Sequence, residues 1–220
     1  MDQDLKKNIL STGTSLVGII CKDGIVMAGD KKTTAGNIIM NKGKQKVWPV
    51  NDYILVSGTG SVSDIELSKK IIKAQLKLKE LSDKQRPTVK EAANLISMLS
   101  YKNIRQPSMI PFLVGLMVGG LNEDGSTELY SIEPAGSVAK VDDFDANFSS
   151  GMPYILGFLE RNWKKNLSVE KGVELAIESI KSSSERDTGS GLGIDVFTIT
   201  KEGIKHVLKQ TIESLYKEQD

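Results

Sequence analysis

The chain has 220 residues, of which 39% are hydrophobic and 26% are charged. This length and composition suit one globular domain with a sizeable core. Lys and Arg number 29 against 28 Asp and Glu, so the formal net charge is +1. Because there is no excess of positive charge to attract phosphates or anionic lipids, we expect neither nucleic acid nor a membrane as a partner.

The counts of cysteine and histidine restrict the chemistry further. One cysteine, Cys21, cannot form an internal disulfide, and one histidine, His206, cannot build a His-rich metal site, so we expect no metal and no cofactor. A Ser-His-Asp triad or a Cys-His dyad would need His206, and neither a G-x-S-x-G motif nor a phosphate-binding loop accompanies it. The first residues lack the apolar stretch of a secretory signal, which favours a cytoplasmic location.

Runs of β-branched and apolar residues predict about four strands in the first quarter of the chain. They lie within 15–29, 37–40 and 46–57. The first run is divided by Lys22-Asp23-Gly24, and we expect the Asp-Gly pair to supply the positive φ of a hairpin turn.

Four later segments have the apolar spacing of amphipathic helices. They cover 62–81, 88–103, 153–162 and 169–184. Thr88 and Glu91 have the spacing of a capping box, and Ser168 is suited to cap the fourth helix. Three strands are predicted between the helix pairs and a hairpin after them, and the polar segment 210–220 is compatible with a further helix.

Blocks of strands therefore alternate with pairs of helices, unlike the βαβα order of a parallel doubly wound sheet. Each predicted sheet has apolar residues to bury, and stacking one sheet on the other with helices outside would bury both. We predict an α+β fold, a four-layer α-β-β-α sandwich of two antiparallel sheets.

Three separated motifs resemble those of a known family. GTSLVGIICKDGIVMAGDKKTTAGN, from Gly13 to Asn37, is similar to the start of a proteasome β subunit. FSSGMPYILGFLE (Phe148 to Glu160) and ERDTGSGLGIDV (Glu185 to Val196) resemble later segments of that family. Because the motifs occur in the family's order and span 14–200, the chain resembles the archaeal type of proteasome β subunit.

The resemblance implies an N-terminal nucleophile hydrolase in which Thr14 becomes the nucleophile when the protein cuts its own Gly13–Thr14 bond. A free α-amine, with a pKa of about 7.7–8.0, can then act as the base, and no histidine is required. In the uncut chain the Thr14 nitrogen is an amide, so residues 1–13 are expected to be a propeptide and 14–220 a single catalytic domain. Gly13 suits this cleavage because it lacks a Cβ that would hinder close approach.

The resemblance also implies a set of supporting residues, which are Asp30, Lys46, Ser150, Asp187 and Ser190. The ammonium group of Lys46 would lower the pKa of the Thr14 hydroxyl, and Asp30 would hold and neutralise that lysine. The other three would orient the terminal amine. Without the resemblance the sequence does not select Lys46, because Lys42, Lys44 and Lys46 alternate and could all lie on one strand face.

Further residues are implied to contact the substrate. The backbone N–H of Gly60 would hold the oxyanion of the tetrahedral intermediate. Thr34 and Gly60 would pair with the main chain of an extended peptide. Positions expected in the specificity pocket are Thr33, Trp48, Gly58 and Val62.

The family's assembly implies rings of seven β subunits stacked between rings of seven α subunits, with a regulatory ATPase acting through the α ring and unfolded polypeptides as substrates. Two other functions stay open: a structural ring subunit without activity, and an amidase that uses the same N-terminal chemistry on small molecules. The presence of Gly13, Thr14 and Lys46 argues against the first. The ERDTGSG segment argues against the second.

Overall fold

The computed structural model of the chain describes residues 13–212. Its strands are β1 (Leu16–Cys21), β2 (Gly24–Asp30), β3 (Thr33–Ala35), β4 (Ile38–Asn41), β5 (Val47–Pro49), β6 (Ile54–Gly60), β7 (Val114–Leu121), β8 (Thr127–Ile132), β9 (Val138–Lys140), β10 (Phe144–Asp145), β11 (Gly193–Thr200) and β12 (Gly203–Thr211). Its helices are α1 (Val62–Asp83), α2 (Val89–Ile104), α3 (Met152–Asn162) and α4 (Val169–Ser184).

Two five-stranded sheets form the centre of the fold. The first has the strand order β10-β1-β2-β11-β12 and the second the order β5-β6-β7-β8-β9. Neighbouring strands in both sheets are antiparallel. Strands β3 and β4 form a separate two-stranded hairpin. In the sequence it follows β2 of the first sheet and precedes β5 of the second.

Three apolar clusters show how the layers stack. The cluster between the two sheets includes Leu16, Met27, Leu55, Met117 and Phe197. A second cluster joins α3 and α4 to the outer face of the first sheet. A third joins α1 and α2 to the outer face of the second sheet. The predicted four-layer α-β-β-α sandwich of an α+β fold is therefore confirmed.

The first hairpin forms as predicted, but its turn differs from the expectation. Cys21 pairs with Gly24, which leaves Lys22 and Asp23 as the turn residues, and none of these has a positive φ. Glycine is needed at position 24 for space, because a Cβ there would lie 2.2 Å from the carbonyl oxygen of Ile199. The expected left-handed Asp-Gly turn is thus wrong.

Both predicted caps are present. The Thr88 side chain accepts from the Glu91 backbone N–H, and the Glu91 carboxylate accepts from the Thr88 N–H, which completes a capping box before α2. The Ser168 side chain accepts from the backbone N–H of Lys171 at the start of α4.

Three local expectations need correction. Residues 42–46 are a loop, because β5 begins only at Val47, so the three lysines do not share a strand face. Residues 210–211 complete β12 instead of starting a helix, and 213–220 lie outside the described residues. The short strands β3 and β10 were not predicted.

Between residues 13 and 212, no helix has the length and apolar character needed to cross a membrane.

Candidate active site

Thr14 lies at the entry to β1 and is almost entirely buried. Its hydroxyl donates to the carbonyl oxygen of Gly13 at 2.6 Å. Gly13 packs directly on the loop before β11, where a Cβ on Gly13 would lie 2.0 Å from the Cα of Gly189. Glycine at position 13 therefore allows the bond before Thr14 to lie against this loop.

Lys46 connects the Thr14 hydroxyl to a buried carboxylate. Its ammonium nitrogen lies 3.2 Å from Thr14 Oγ1 and 2.7 Å from Asp30 Oδ1. The same nitrogen lies 3.2 Å from the carbonyl oxygen of Gly13. Asp30 ends β2 and Lys46 precedes β5, so the pair joins the two sheets at the point where β1 begins.

Backbone N–H groups hold the Asp30 carboxylate from several directions. Oδ1 accepts from the N–H of Ser15 at 2.8 Å. Oδ2 accepts from the N–H of Lys32 at 3.0 Å and from that of Gly191 at 2.9 Å. These bonds and the Lys46 ammonium supply the partners that a buried carboxylate needs.

Burial determines the direction of both pKa shifts in this pair. It raises the pKa of the Asp30 carboxyl, against the opposing effects of Lys46 and the N–H donors. Burial also lowers the pKa of Lys46, which Asp30 partly offsets. A lysine whose proton is held less tightly than usual can exchange it with a neighbouring hydroxyl more readily.

Ser150 links the backbone nitrogen of Thr14 to Asp187. The Thr14 N–H donates to Ser150 Oγ at 3.0 Å, and Ser150 Oγ lies 2.6 Å from Asp187 Oδ2. The Ser190 hydroxyl donates to the same carboxylate oxygen. Ser150 precedes α3, and the other two residues lie in the loop between α4 and β11. The structure thus brings Asp30, Lys46, Ser150 and the Asp187 loop together around one threonine.

A pocket opens beside Thr14. The predicted residues on its wall are Thr33, Trp48, Gly58, Gly60 and Val62. Ile65 adds an apolar side chain, and Trp48 belongs both to this wall and to the cluster under α1 and α2. Gly60 has a φ of +113° at the end of β6, and a Cβ there would lie 2.0 Å from the carbonyl oxygen of Leu113.

The two threonines of β3 have different surroundings. Thr34 lies outside this pocket, and its hydroxyl accepts from the N–H of Gly13 at 2.9 Å. Thr33 lies on the pocket wall, and its buried hydroxyl has no hydrogen-bond partner within residues 13–212. The residue that precedes Thr14 in the chain thus reaches Thr34 through its backbone N–H.

The loop before β5 separates the three alternating lysines. Lys42 is exposed and Lys46 is buried. Lys44 is half-buried on the pocket wall and forms an ion pair with Glu66. The three lysines therefore differ in their surroundings in the folded chain, which their spacing in the sequence does not predict.

Sequence reasoning missed several residues that build the site. Ser15 contributes its N–H to Asp30, and its hydroxyl contacts Ser190 at 2.7 Å. Gly191 contributes an N–H to Asp30 and has a φ of +125°. The glycines of the ERDTGSG segment signalled a turn there. No pattern marked Ser15 as a site residue, because it begins the run 15–29 that predicted only the first hairpin.

The comparisons with known proteins agree with this architecture. Residues 10–199 match the family model described as proteasome subunit. The chain is 38% identical over 192 residues to the proteasome subunit beta of Nanoarchaeum equitans, covering 87% of this chain and 95% of that protein. It is 37% identical over 203 residues to that of Ferroglobus placidus, covering 92% and 94%. Identity to that of Methanopyrus kandleri is 35% over 207 residues, covering 94% and 96%.

The chain belongs to the proteasome subunit family. Within that family it is a β subunit of the 20S core, from a peptidase family of N-terminal threonine hydrolases. Members of this family assemble with other subunits into a core particle.

Proposed function

We propose that Thr14 Oγ1 is the nucleophile of this threonine endopeptidase, and that autocatalytic cleavage of the Gly13–Thr14 bond exposes it. One observation carries the proposal. The Thr14 hydroxyl lies 2.6 Å from the carbonyl oxygen of Gly13, and the Lys46 ammonium lies 3.2 Å from both of these oxygens. The chain before cleavage is therefore a zymogen, in which the future base is still an amide nitrogen.

The cleavage begins with attack of Thr14 Oγ1 on the carbonyl carbon of Gly13. The proton lost by the hydroxyl is the one that the Thr14 nitrogen takes up when its bond breaks, and the developing negative charge on the carbonyl oxygen is stabilised by the Lys46 ammonium. Collapse breaks the bond between the Gly13 carbon and the Thr14 nitrogen, which takes up a proton. The resulting ester is hydrolysed by water, which leaves a carboxylate on Gly13 and a free α-amine on Thr14.

The free amine then acts as the base for peptide hydrolysis. It accepts the Thr14 hydroxyl proton as Oγ1 attacks a substrate carbonyl, and it returns a proton to the leaving amine. Water hydrolyses the acyl-enzyme in the second half of the reaction. Ser150, Asp187 and Ser190 orient the amine. In the uncut chain Ser150 already contacts the Thr14 nitrogen, and the carboxylate of Asp187 accepts from both Ser150 and Ser190.

Substrate binding uses the wall beside Thr14. The backbone N–H of Gly60 is the proposed oxyanion donor, where the absence of a side chain allows close approach. Thr34 binds the residue on the acyl side, as it binds Gly13 before cleavage. Thr33 and Gly58 line the space for that residue's side chain, and the Thr33 hydroxyl has a hydrogen-bonding capacity that no described residue uses.

The proposed setting is a cytoplasmic core particle. Rings of seven β subunits stack between rings of seven α subunits, and a regulatory ATPase delivers unfolded polypeptides through the α ring. Residues 1–13 are the proposed propeptide, and 14–220 form the mature catalytic domain. Activity then appears only after assembly, which protects other proteins of the cell.

The test is the intact mass and the peptidase activity of this subunit after co-expression with its α partner. The parent chain should lose residues 1–13 and hydrolyse a fluorogenic peptide. Thr14→Ala should do neither, whereas Thr14→Ser, which keeps a hydroxyl, should be cleaved. An uncut and inactive parent chain in fully assembled rings would overturn the proposal in favour of a structural subunit.

A further inference from the structure

Ser15 and Ser183 form a buried hydroxyl pair next to the site. Ser15 follows Thr14 in the chain, and Ser183 is the penultimate residue of α4. Their Oγ atoms lie 2.5 Å apart, and Ser15 Oγ also lies 2.7 Å from Ser190 Oγ. All three serines are 1% exposed or less. The proposed mechanism uses the backbone N–H of Ser15, which holds Asp30, but neither the Ser15 hydroxyl nor Ser183.

The proton count determines the direction of donation along these hydroxyls. A serine hydroxyl has one proton, and a carboxylate can only accept. Ser190 donates its proton to Asp187 Oδ2, so in the next bond Ser15 has to donate to Ser190. Since the proton of Ser15 is then used, Ser183 has to donate to Ser15. Every hydroxyl in the series therefore donates toward the carboxylate.

Ser183 uses its hydroxyl differently from Ser179, one turn earlier in α4. Ser179 Oγ donates to the carbonyl oxygen of Ala176 at 2.9 Å, within its own helix. The Ser183 hydroxyl instead leaves the helix to reach Ser15. Its carbonyl oxygen also accepts from the N–H of Asp187 at 2.7 Å. The backbone of Ser183 therefore contacts the loop between α4 and β11, which carries Asp187 and Ser190. Its side chain is connected to the same loop through the hydroxyl of Ser15.

Gly151 closes the space around the pair. A Cβ on Gly151 would lie 2.0 Å from Ser15 Oγ and 2.1 Å from Ser183 Oγ. Its φ of −78° is accessible to any residue, so packing against the two hydroxyls accounts for glycine at this position. Close packing against Gly151 therefore holds the hydroxyls of Ser15 and Ser183 in contact with each other.

We propose that Ser183 is a positioning residue for the catalytic amine of Thr14, acting through Ser15 and the Asp187 loop. The inference rests on the proposed function of Thr14. Aligned donors polarise one another and disperse the negative charge of the carboxylate on which they end. That carboxylate accepts from Ser150, which in turn contacts the Thr14 nitrogen.

Loss of the Ser183 donor should leave more negative charge on Asp187. Because an opposite charge favours the protonated amine, the pKa of the Thr14 amine should rise, and less free base is present at a given pH. The substitution does not change three other charged groups of the described residues that belong to the site. Lys46 contacts Thr14 Oγ1 and pairs with Asp30, and Lys32, which follows β2, acts electrostatically on Lys46.

The experiment compares assembled core particles that carry Ser183→Ala or Ser179→Ala. Both serines are fully buried in α4, and the control loses only a bond within the helix. Acylation of the Thr14 α-amine, read from the mass of the N-terminal peptide between about pH 5 and pH 9, gives the amine pKa without reference to activity. The pH profile of kcat/KM is measured in parallel.

Ser183→Ala should move the midpoints of the acylation profile and of the kcat/KM profile upward by about half a pH unit. At pH values below the midpoint, kcat/KM should therefore be about threefold lower than in the parent. Ser179→Ala should leave both unchanged. Ser15→Ala should reproduce the shift, and adding Ser183→Ala to it should cause no further change. Coincident profiles for the two alanine variants of α4, or additive effects of Ser15→Ala and Ser183→Ala, would overturn the inference.

Failure of the proposed function would be recognised separately. The parent chain would then keep residues 1–13 in assembled particles, and no Thr14 amine would react at any pH. That result would overturn both proposals. A cleaved and active parent with unshifted Ser183→Ala profiles would overturn only the role of Ser183.

Discussion

The ammonium nitrogen of Lys46 lies 3.2 Å from the hydroxyl oxygen of Thr14. The same nitrogen forms a 2.7 Å ion pair with Asp30, and both side chains of that pair are buried. One lysine therefore contacts the proposed nucleophile and a carboxylate fixed by the backbone at the same time.

Replacing Lys46 with alanine should abolish both cleavage of the Gly13–Thr14 bond and peptidase activity. The variant removes the positive charge that stabilises the oxyanion and lowers the pKa of the hydroxyl, an effect of about 100-fold or more in rate. Lys42→Ala is the matched control, since Lys42 lies in the same loop but is exposed. Intact mass and fluorogenic peptide hydrolysis measure the two effects, and a fully processed and active Lys46→Ala particle would refute this role.

The Asp30–Lys46 pair should show strong coupling in stability. Removing one charge of a buried pair costs about 3–5 kcal/mol, because the other is left without a partner. Asp30→Asn and Lys46→Met should each lower the free energy of unfolding in urea. The double variant should lose less than the sum of the two single losses while remaining uncleaved. Additive losses would show that the two charges do not stabilise one another.

Gly58→Ala should narrow the pocket beside Thr14. The new Cβ would lie 3.0 Å from side-chain carbons of both Trp48 and Leu116, so it crowds the apolar wall. We expect kcat/KM to fall by about tenfold for peptides with a large apolar residue before the scissile bond, and less for alanine peptides.

The control for this variant is Gly157→Ala, because a Cβ at position 157 in α3 would have no neighbour within 4 Å. Its ratio of kcat/KM between large and small residues should equal that of the parent. An unchanged ratio in Gly58→Ala would exclude Gly58 from the specificity pocket.

Cys21 should be unreactive in the folded chain. Burial, with smaller contributions from Asp23 and Glu170, raises the pKa of its thiol to about 12. Because the thiolate is the reactive form, iodoacetamide at about pH 8 should not label the native protein but should label it fully in urea. The intact mass of the protein shows whether the label is attached, and Cys21→Ala, which has no cysteine, is the unlabelled control. Complete labelling of the native particle would contradict the predicted protection.

Local patterns predicted the elements that depend on neighbours in sequence. The capping box of Thr88 and Glu91 is one example, since both its donors and its acceptors lie within one turn. The first hairpin was predicted correctly, but not the reason for Gly24. That glycine is required by β11, which passes beside it and is distant in the sequence.

The site depends on contacts that no local pattern contains. Lys46 differs from Lys42 and Lys44 only because Asp30, sixteen residues earlier, lies beside it in the folded chain. The resemblance to a family selected Lys46, whereas spacing alone did not. Ser183 had no signal at all, because a serine on the buried face of a helix usually bonds to its own backbone.

The most direct test of the account is the site at which an electrophilic peptide attaches to the assembled particle. A peptide with a C-terminal vinyl sulfone should attach to Oγ1 of Thr14, and mass spectrometry should find the adduct on a peptide that begins at this residue. Lys46→Ala should remain unlabelled. An adduct on any other residue, or a labelled chain that still carries residues 1–13, would contradict the assignment of Thr14 as the nucleophile.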